Sequence, residues 1–451
     1  MTMNRSFDLI VIGTGEAALP VATRCRAAGW KVAIVDCRPF GGTCGLRGCD
    51  PKKVLVGAAQ AADWTRRLKG KGLKHDARID WPALIRFKRT FTDPFPVARE
   101  DSLIKVGIET IHGAARFVGK TSIQVGHDVL EAGHVVVATG AWPATLHIPG
   151  EELLTRSDQF LDLEALPKRI VFVGGGYIAF EFAHVAARAG AAVTILHQGQ
   201  RPLERFDPDL VARLLVRTRA LGVDVRTNTK VVGVTRRSDH LIVTASTDSK
   251  EVTIETDLAV HAAGRAPDLA ELDLSAAGVD SSRRGVTVNE YMQSVSNPDV
   301  YAAGDAANGG GLPDTPVAGY EGKLVAQNLL NGNKRVANFL GVASVVYTIP
   351  SLGRVGLTEE EAQQQRLNFR VNQADTSSWY SARRVAEPTS AYKVLIDKES
   401  DTILGAHLIG PEADELTNVF ALAIRARLRV DVLKETLFVY PTQASNIQYM
   451  L

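Results

Sequence analysis

The chain has 451 residues, of which 45% are hydrophobic and 23% charged, values typical of globular proteins. At about 150 residues per domain, this length predicts roughly three domains. The 52 lysines and arginines nearly balance the 50 aspartates and glutamates, which argues against a basic nucleic-acid-binding surface. No apolar run is long enough to cross a bilayer, and the N-terminus lacks a signal-peptide layout. We therefore expect a cytoplasmic protein without nucleic-acid or membrane partners.

The N-terminal region shows the pattern of a dinucleotide-binding unit: a strand, a glycine-rich turn, a helix and a second strand that ends in an acid. Its landmarks are the strand at 7–12, the turn residues Gly13, Gly15 and Ala18, the helix to about Gly29, the strand at 31–35, and Asp36. Glycines let a pyrophosphate approach the backbone, and the helix N-terminus supplies N–H donors.

The same pattern recurs in the middle of the chain. Its landmarks are the strand at 169–173, the turn residues Gly174, Gly176 and Ala179, a helix to about Gly190, and the strand at 192–196. A single match of this kind can be only a tight turn, but both matches have the correct flanking elements. Two units predict two bound dinucleotides. From about Phe339 onward, short strands alternate with helices, which predicts a third, α+β domain.

Two of the four cysteines, Cys44 and Cys49, lie five residues apart at a predicted helix start. Such a pair can close a small disulfide ring, and a helix N-terminus favours the thiolate. The alternatives are half of a zinc site or two inert buried thiols. No second Cys or His pair has ligand spacing, so we predict no metal. We interpret Cys25 and Cys37 as small core residues.

Three longer segments of the sequence together are typical of one enzyme family. They are GGTCGLRGCDPKK at 41–53, VVVATG at 135–140, and Tyr301-Ala-Ala-Gly304-Asp305. With these segments the chain resembles the pyridine nucleotide–disulfide oxidoreductases, which include glutathione reductase, dihydrolipoamide dehydrogenase and mercuric reductase. The resemblance covers nearly the whole chain and implies an NAD(P)H-dependent flavoprotein disulfide reductase.

The resemblance implies an α/β fold with two Rossmann-like dinucleotide-binding domains and a C-terminal α+β interface domain. The expected boundaries are 1–147 and 263–338 for a discontinuous FAD domain, 148–262 for the NAD(P)H domain, and 339–451 for the interface domain. It also implies a homodimer whose active site is completed across the interface.

The resemblance further implies a role for individual residues. Cys49 would accept electrons from the flavin, and Cys44 would face the acceptor. The other implied catalytic residues are Lys53 near the flavin N5 in an ion pair with Glu181, Tyr177 covering the flavin, and Tyr440 of the other subunit. The implied cofactor-binding residues are Gly13, Gly15, Ala18, Asp36, Gly42, Thr43, Lys53, Thr139, Gly140, Gly174, Gly176, Ala179, Arg201, Arg205, Gly264, Gly304 and Asp305.

The second dinucleotide unit predicts NADPH rather than NADH. An acid at the end of its second strand would bond the ribose 2′-hydroxyl of NADH, but here that strand ends in Leu196-His197-Gln198. Arg201 and Arg205 follow closely and could pair with a 2′-phosphate. The alternative is that both arginines belong to a solvated loop.

The C-terminal segment departs from the family pattern, in which disulfide reductases carry His-Pro-Thr-x-x-Glu. Here Tyr440 replaces the histidine and Ser445 the glutamate. A phenol with a pKa near 10 is a poor general base at neutral pH. Arg47, between the cysteines, could stabilise a thiolate instead, or could point to solvent or pair with Asp50.

The predicted acceptor is a small molecule, foremost a low-molecular-weight disulfide such as glutathione disulfide. One alternative is a thiol-bound metal ion or another electrophile, because mercuric reductases also resemble this chain in carrying a tyrosine at this place, although the cysteine pair expected near their C-terminus is missing here. Another alternative is a dihydrolipoamide dehydrogenase-like subunit of a larger complex.

Overall fold

The computed structural model describes residues 4–247 and 250–451. The chain forms two units, each assembled from three segments. The first unit comprises residues 1–51, 87–144 and 265–339, and the second comprises 52–86, 145–264 and 340–451. The helices Cys49–Leu68 and Trp81–Thr92 each contain a boundary between the units.

The first unit contains a seven-stranded sheet with a parallel core. Its strands lie in the order Glu109–His112, Val32–Asp36, Asn4–Ile12, Asp128–Val137, Ser122–Val125 and Ala115–Phe117, and Val300–Ala302 pairs with Asp128–Val137. The second halves of the central strands are rich in Val and Ile and buried, as expected for parallel strands covered on both faces. This order brings the carboxyl ends of five parallel strands to one edge, where a dinucleotide site is expected.

Helices and smaller strands cover this sheet and complete the first unit. The helices are Ala18–Ala27, Gly42–Arg47, Phe95–Lys105 and Thr315–Asn331, with short 3-10 turns at Leu274–Ala277 and Gly304–Ala306. The small strands are Ala141–Pro143 with Arg265–Pro267, and Ser281–Ser282 with Gly285–Thr287 and Ala307–Asn308. Two hydrophobic clusters fill the two faces of the large sheet.

The second unit contains three sheets. A parallel sheet has the order Asp224–Arg226, Ala192–Leu196, Arg169–Val173 and Leu258–His261, and an antiparallel meander runs through Lys230–Arg237, His240–Thr247 and Lys250–Thr256. The five-stranded antiparallel sheet has the order Ala343–Val346, Ser351–Gly356, Ile403–Gly410, Ala391–Asp397 and Phe369–Asp375. Its helices are Ser157–Phe160, Tyr177–Arg188, Pro208–Ala220, Glu359–Gln364, Tyr380–Arg383, Ala413–Arg425 and Val430–Glu435, with 3-10 turns at Glu151–Leu153 and Ala444–Tyr449.

A buried ionic cluster fixes the helix Cys49–Leu68 within the second unit. The carboxylate of Asp63 lies 2.6 Å from Arg67, 2.8 Å from Arg188 and 3.2 Å from Arg217. Burial alone would raise the pKa of Asp63, but the three arginines hold it below its usual value. Arg67 lies in the same helix as Asp63, whereas Arg188 and Arg217 come from two other helices, so this carboxylate ties three helices together.

The predicted fold class is confirmed. The strands of the second dinucleotide unit have the predicted bounds, and those of the first lie within three residues of them. Cys25 is buried as predicted, whereas the prediction for Cys37 is wrong, because this residue is exposed. It lies just after the strand Val32–Asp36, where the chain has already left the core. Within the described residues, no helix combines the length and apolar character needed to cross a membrane.

The packing of Gly45 leads to a test of the helix that carries Cys44. A Cβ added to Gly45 would lie 2.7 Å from two ring carbons of Phe95. We expect Gly45→Ala to lower the free energy of unfolding by roughly 1–3 kcal/mol, because the ring must move out of a filled position. The measurement is urea unfolding.

Gly57→Ala is the matched control, since Gly57 also lies inside a helix but meets no described atom outside its own helix within 4 Å of an added Cβ. This change should stabilise the protein by about 0.5–1 kcal/mol. Equal stabilisation by both substitutions would contradict the packing of Phe95 on Gly45.

Candidate active site

The first glycine turn lies against the ends of two neighbouring segments. A Cβ on Gly13 would lie 2.2 Å from the carbonyl oxygen of Ala138, and one on Gly42 would lie 2.4 Å from the Cα of Gly15. Both Gly13 and Gly42 have positive φ, at 107° and 69°. Only glycine permits this conformation and this close approach together. The helix that carries Cys44 therefore rests directly on the predicted dinucleotide turn.

Asp36 at the end of the second strand is tied to the same turn. Its carboxylate accepts hydrogen bonds from the Thr14 hydroxyl at 2.6 Å and from the Arg38 backbone N–H at 2.9 Å. The Thr14 oxygen in turn accepts from the Gly41 backbone N–H at 3.0 Å. The chain of contacts from Asp36 through Thr14 to Gly41 links the predicted ribose-binding acid to the loop before the cysteines.

Gly304 and Asp305 lie beside this turn, near the start of the helix Thr315–Asn331. Gly304 has a φ of 69°, and an added Cβ would lie 3.1 Å from the Cβ of Ala17. Burial raises the pKa of Asp305, whereas the charge of Arg265 acts in the opposite direction. The backbone N–H of Gly304 donates to Glu321 at 2.7 Å. Glu321 is a buried carboxyl that the sequence analysis missed.

A flavin dinucleotide, which the resemblance implies, fits these residues. Gly13 and Gly15 place no side chain of their own on the turn between the strand Asn4–Ile12 and the helix Ala18–Ala27. The hydroxyl oxygen of Thr139 is buried and, among the described residues, has no hydrogen-bond partner. A buried polar group of this kind is normally satisfied, so Thr139 is suited to bond a polar group of a ligand. The predicted residues Gly13, Asp36, Thr139 and Asp305 all lie in the first unit, and their role in cofactor binding stays a prediction.

The buried Glu321 leads to a pH prediction. Burial raises the pKa of Glu321 from 4.5 to about 7. As the pH rises from about 4.5 to about 7, the unfolded carboxyl ionises first while the folded one stays protonated, so the folded state loses stability in this window. Glu321→Gln does not titrate. We therefore expect the free energy of unfolding of Glu321→Gln to rise by up to about 3 kcal/mol relative to that of the natural protein between about pH 4 and pH 8.

The measurement is urea unfolding at each pH, on protein stripped of bound nucleotide. A stability difference that stays constant across this range would contradict the raised pKa of Glu321. Glu435→Gln, on an exposed carboxylate, is the control and should show no such trend.

Cys44 and Cys49 lie in two consecutive helices, Cys44 within Gly42–Arg47 and Cys49 at the first residue of Cys49–Leu68. The structure records both as thiols, with Cys44 half-buried and Cys49 exposed. The hydroxyl of Thr315 donates a hydrogen bond to the Cys44 sulfur at 3.3 Å and lies 3.3 Å from the Cys49 sulfur. The predicted pair is thus brought together, and Thr315 joins it from a distant segment.

The surroundings of Cys44 act on its ionisation in both directions. The neighbouring Cys49 side chain and, next, burial raise the pKa of the Cys44 thiol well above its ordinary value, and the charge of Asp50 adds to this. The hydrogen bond from Thr315 lowers it. Arg47 ends the helix Gly42–Arg47 and is half-buried, and its predicted role as a thiolate stabiliser stays a prediction.

The predicted ion pair between Lys53 and Glu181 is wrong, because Glu181 pairs with Lys52. The Lys52 ammonium lies 2.9 Å from the Glu181 carboxylate, and both side chains are buried, at 11% and 3% exposure. Glu181 also accepts a hydrogen bond from the Tyr347 backbone N–H at 2.8 Å. Lys53 instead lies 3.1 Å from Asp414, and its side chain is 48% exposed.

Helix geometry explains this correction. Successive residues on a helix point about 100° apart, so two adjacent lysines cannot occupy the same buried position. Lys52 falls on the buried face of the helix Cys49–Leu68, and Lys53 falls on its exposed side. The partner of Glu181 is therefore Lys52.

The second glycine turn has the geometry of a dinucleotide site within the second unit. Gly174 has a φ of 113°, and an added Cβ would lie 2.2 Å from the Ala262 carbonyl oxygen. Gly176 caps the helix Tyr177–Arg188, where Ala179 is fully buried and Tyr177 is 50% exposed. Gly264, with a φ of 111°, follows the neighbouring strand Leu258–His261. All of these predicted residues lie at one edge of the parallel sheet.

The loop with the two predicted arginines folds back toward this turn. A Cβ on Gly175 would lie 2.7 Å from the ring of His197, whose Nε2 lies 2.9 Å from the Arg201 carbonyl oxygen. The Arg201 guanidinium donates to the Glu204 carbonyl at 3.2 Å and lies 3.7 Å from Glu360. Arg205 is exposed. His197 thus occupies the place of the acid that NADH-binding units carry.

Tyr440 lies in the second unit and is 79% exposed. The side chain of Ser445 is buried and donates its hydrogen bond to the Thr442 carbonyl at 2.7 Å. Ser445 therefore closes a local turn and does not take the place of a glutamate that orients a base. Among the described residues, no group of three or more His, Cys, Asp or Glu side chains could hold a metal ion.

Comparison with known proteins places the chain in a family over most of its length. Residues 7–322 match the model of the pyridine nucleotide-disulphide oxidoreductases, and residues 342–451 match the dimerisation domain of that family. The chain is 32% identical over 443 residues to a glutathione reductase of Burkholderia cepacia, covering 98% of this chain and 97% of that protein. It is 29% identical over 450 residues to a mercuric reductase of Bacillus cereus, covering 99% of this chain and 71% of that protein.

A solved structure supports the same assignment. The Cu(II) complex of the HOCl-induced flavoprotein disulfide reductase RclA from Escherichia coli superposes with a TM-score of 0.88 at 27% sequence identity, covering 99% of each chain. The predicted family and enzyme class are thereby confirmed. The chain belongs to the pyridine nucleotide-disulphide oxidoreductases, a family of NAD(P)H-dependent flavoprotein enzymes.

Proposed function

We propose that this protein passes two electrons from NADPH through FAD to the Cys44–Cys49 pair, and from there to a small acceptor. The observation that carries the proposal is the placement of both sulfurs 3.3 Å from the Thr315 hydroxyl. The helix that contains Cys44 also rests on the first glycine turn. A disulfide between these cysteines is the group that would store the two electrons on the protein.

The proposed cofactor sites follow the two glycine turns. FAD would lie along Gly13, Gly15, Asp36, Thr139 and Asp305, and when bound it supplies the hydride acceptor that a protein side chain cannot provide. The domain bounds that we propose are 1–147 and 263–338 for FAD, 148–262 for NAD(P)H, and 339–451 for the interface domain.

NADPH is the proposed nicotinamide, because His197 and not a carboxylate follows the strand Ala192–Leu196. A carboxylate there would repel a 2′-phosphate, whereas Arg201 and Arg205 offer positive charge nearby. The test is a comparison of kcat/KM for NADPH and NADH with an artificial electron acceptor. A higher value for NADH would overturn this part of the proposal.

The sulfur chemistry that we propose has two steps. The Cys44 thiolate attacks one sulfur of an acceptor disulfide, forming a mixed disulfide and releasing one thiolate. The Cys49 thiolate then attacks the Cys44 sulfur, which closes the Cys44–Cys49 disulfide and releases the second thiolate. Each released thiolate takes one proton, so the two electrons leave the protein as two thiols.

A low-molecular-weight disulfide such as glutathione disulfide is the first proposed acceptor. The similarity to the glutathione reductase of Burkholderia cepacia extends over nearly the full length of both chains and supports this choice. In this family the active site is completed across a dimer, and a dimerisation domain covers residues 342–451. We therefore propose a homodimer in which the exposed Tyr440 lines the acceptor site of the partner.

A thiol-bound metal ion is the second proposed acceptor, and the substitutions at Tyr440 and Ser445 favour it. Neither residue supplies the base that thiol interchange with a disulfide normally uses. Mercuric reductases are among the similar proteins, and the RclA structure was solved as a Cu(II) complex. Asp50 beside the cysteines adds negative charge that would favour a cation over anionic glutathione disulfide.

The experiment is anaerobic NADPH oxidation by the purified protein at pH 7 and pH 9. Glutathione disulfide is the acceptor in one series, and mercuric or cupric ions with excess thiol are the acceptor in the other. Turnover with glutathione disulfide at pH 7 supports the first acceptor. Turnover with the metal ions but not with glutathione disulfide supports the second acceptor. If NADPH reduces the flavin but neither acceptor is turned over, both proposed acceptors are overturned.

A further inference from the structure

Thr315 lies between the two redox cysteines. It is the first residue of the helix Thr315–Asn331, more than 260 positions away in sequence, and its hydroxyl lies 3.3 Å from both sulfurs. Because threonine is β-branched, its χ1 angle has few allowed values. The hydroxyl oxygen is thus held at the same distance from Cys44 and Cys49.

A hydroxyl in this position can serve both sulfurs at once. It has one proton to donate and lone pairs that can accept. In the structure it donates to Cys44, while in its contact with Cys49 either atom can be the donor. When Cys49 is the donor, the Cys49 thiol donates to the Thr315 oxygen and the Thr315 hydroxyl donates to the Cys44 sulfur. Rotation of the hydroxyl reverses both hydrogen bonds, so that Cys44 donates to Thr315 and Thr315 donates to Cys49.

This geometry matters because the charges that act on Cys44 work against its ionisation. Asp50 is the carboxylate that acts on Cys44, and its negative charge opposes thiolate formation. Asp314 precedes Thr315 at the cap of its helix. Tyr440 replaces the family's histidine, the most usual general base, with a phenol. A reduced pair that holds one thiol and one thiolate nevertheless contains a base of its own, the second sulfur.

We propose that the Thr315 hydroxyl relays the proton between Cys44 and Cys49, so that the Cys49 thiolate serves as the base that activates Cys44. In this step the Cys44 S–H bond breaks as its proton passes to the Thr315 oxygen. The Thr315 proton passes to the Cys49 sulfur at the same time. The products are a Cys44 thiolate and a Cys49 thiol, with no change in net charge, proton count or oxidation state. This inference rests on the proposed redox function of the pair.

The test compares Thr315→Val, which keeps the shape and removes the hydroxyl, with Thr315→Ser, which keeps the hydroxyl. The flavin-loaded protein is reduced with one equivalent of NADPH, and the alkylation rate of Cys44 by iodoacetamide is followed across pH by mass spectrometry. At pH 7 we expect Thr315→Val to react roughly ten- to hundredfold more slowly, the size of one hydrogen bond to a charged group. The alkylation rate of Thr315→Ser should stay within about threefold of that of the natural protein, a smaller change than the loss of one such hydrogen bond would cause.

Superimposable pH profiles for Thr315→Val and the natural protein would overturn the relay. So would a Thr315→Ser variant that is as slow as Thr315→Val, because the hydroxyl would then not be the decisive group. Thr315→Ala removes the hydroxyl without adding bulk and gives the same comparison if the valine variant loses its flavin.

A failure of the underlying function is distinguishable from a failure of the relay. If NADPH exposes no new alkylatable thiol at Cys44 in the natural protein, the redox function of the pair is itself wrong. If the thiols appear and all three Thr315 variants react like the natural protein, only the relay is wrong.

Discussion

Replacing either redox cysteine by serine is expected to abolish electron transfer to the physiological class of acceptor. Serine cannot form a disulfide, so neither Cys44→Ser nor Cys49→Ser can store two electrons on the pair. We expect NADPH-dependent reduction of the acceptor to fall by at least ~10³-fold, as for the loss of an essential nucleophile. The reduction of ferricyanide, which can take electrons from the flavin directly, should continue in both variants.

The matched control for the cysteine variants is Cys37→Ser. Cys37 is exposed and lies in the same unit as the pair, just after the strand that ends at Asp36. This variant should keep both activities. Retention of acceptor turnover in either Cys44→Ser or Cys49→Ser would show that electrons bypass the pair, and the mechanism proposed above would have to be abandoned.

The second large effect is expected from Lys52. Replacing it by methionine leaves the Glu181 carboxylate buried without its 2.9 Å partner, and the Tyr347 backbone N–H remains as its hydrogen-bond donor. Removing one member of a buried ion pair typically costs about 3–5 kcal/mol. We expect Lys52→Met to lower the free energy of unfolding by about this amount in urea unfolding at pH 7.

Lys53→Met provides the comparison because Lys53 differs from Lys52 by one position in the same helix. Its side chain is 48% exposed beside Asp414, and exposed ion pairs contribute about 0–1 kcal/mol. The destabilisation should therefore be several-fold smaller. A larger loss for Lys53→Met than for Lys52→Met would restore the original assignment of the Glu181 partner to Lys53.

The fold was predictable because its signals are local. Each dinucleotide unit has buried β-branched strands, a glycine turn and an amphipathic helix within about 30 residues, and each of these leaves a short pattern in the sequence. Gly13 and Gly174 have positive φ, and a Cβ added to either would lie 2.2 Å from a carbonyl oxygen. The two glycines in the sequence therefore predict the geometry of the two turns.

The errors have the opposite origin, since they concern the direction of a side chain or contacts between distant segments. Lys52 and Lys53 are the same residue type in adjacent positions, and only the rotation of the helix decides which one is buried. Thr315 meets the cysteines across more than 260 residues, and Glu321 is buried by glycines whose arrangement no short pattern reveals. A helical-wheel projection of the helix Cys49–Leu68 could have identified Lys52 as the lysine on the buried face. No sequence pattern marks Thr315.

The most direct test of the central claim is a thiol count in the oxidised and the NADPH-reduced protein. The chain has four cysteines, and a Cys44–Cys49 disulfide would hide two of them from alkylation after denaturation. We predict two alkylated cysteines before reduction and four after anaerobic addition of NADPH, with the two new sites on the peptide that contains Cys44 and Cys49. Four alkylated cysteines in both samples, or new sites elsewhere, would contradict electron transfer through this pair.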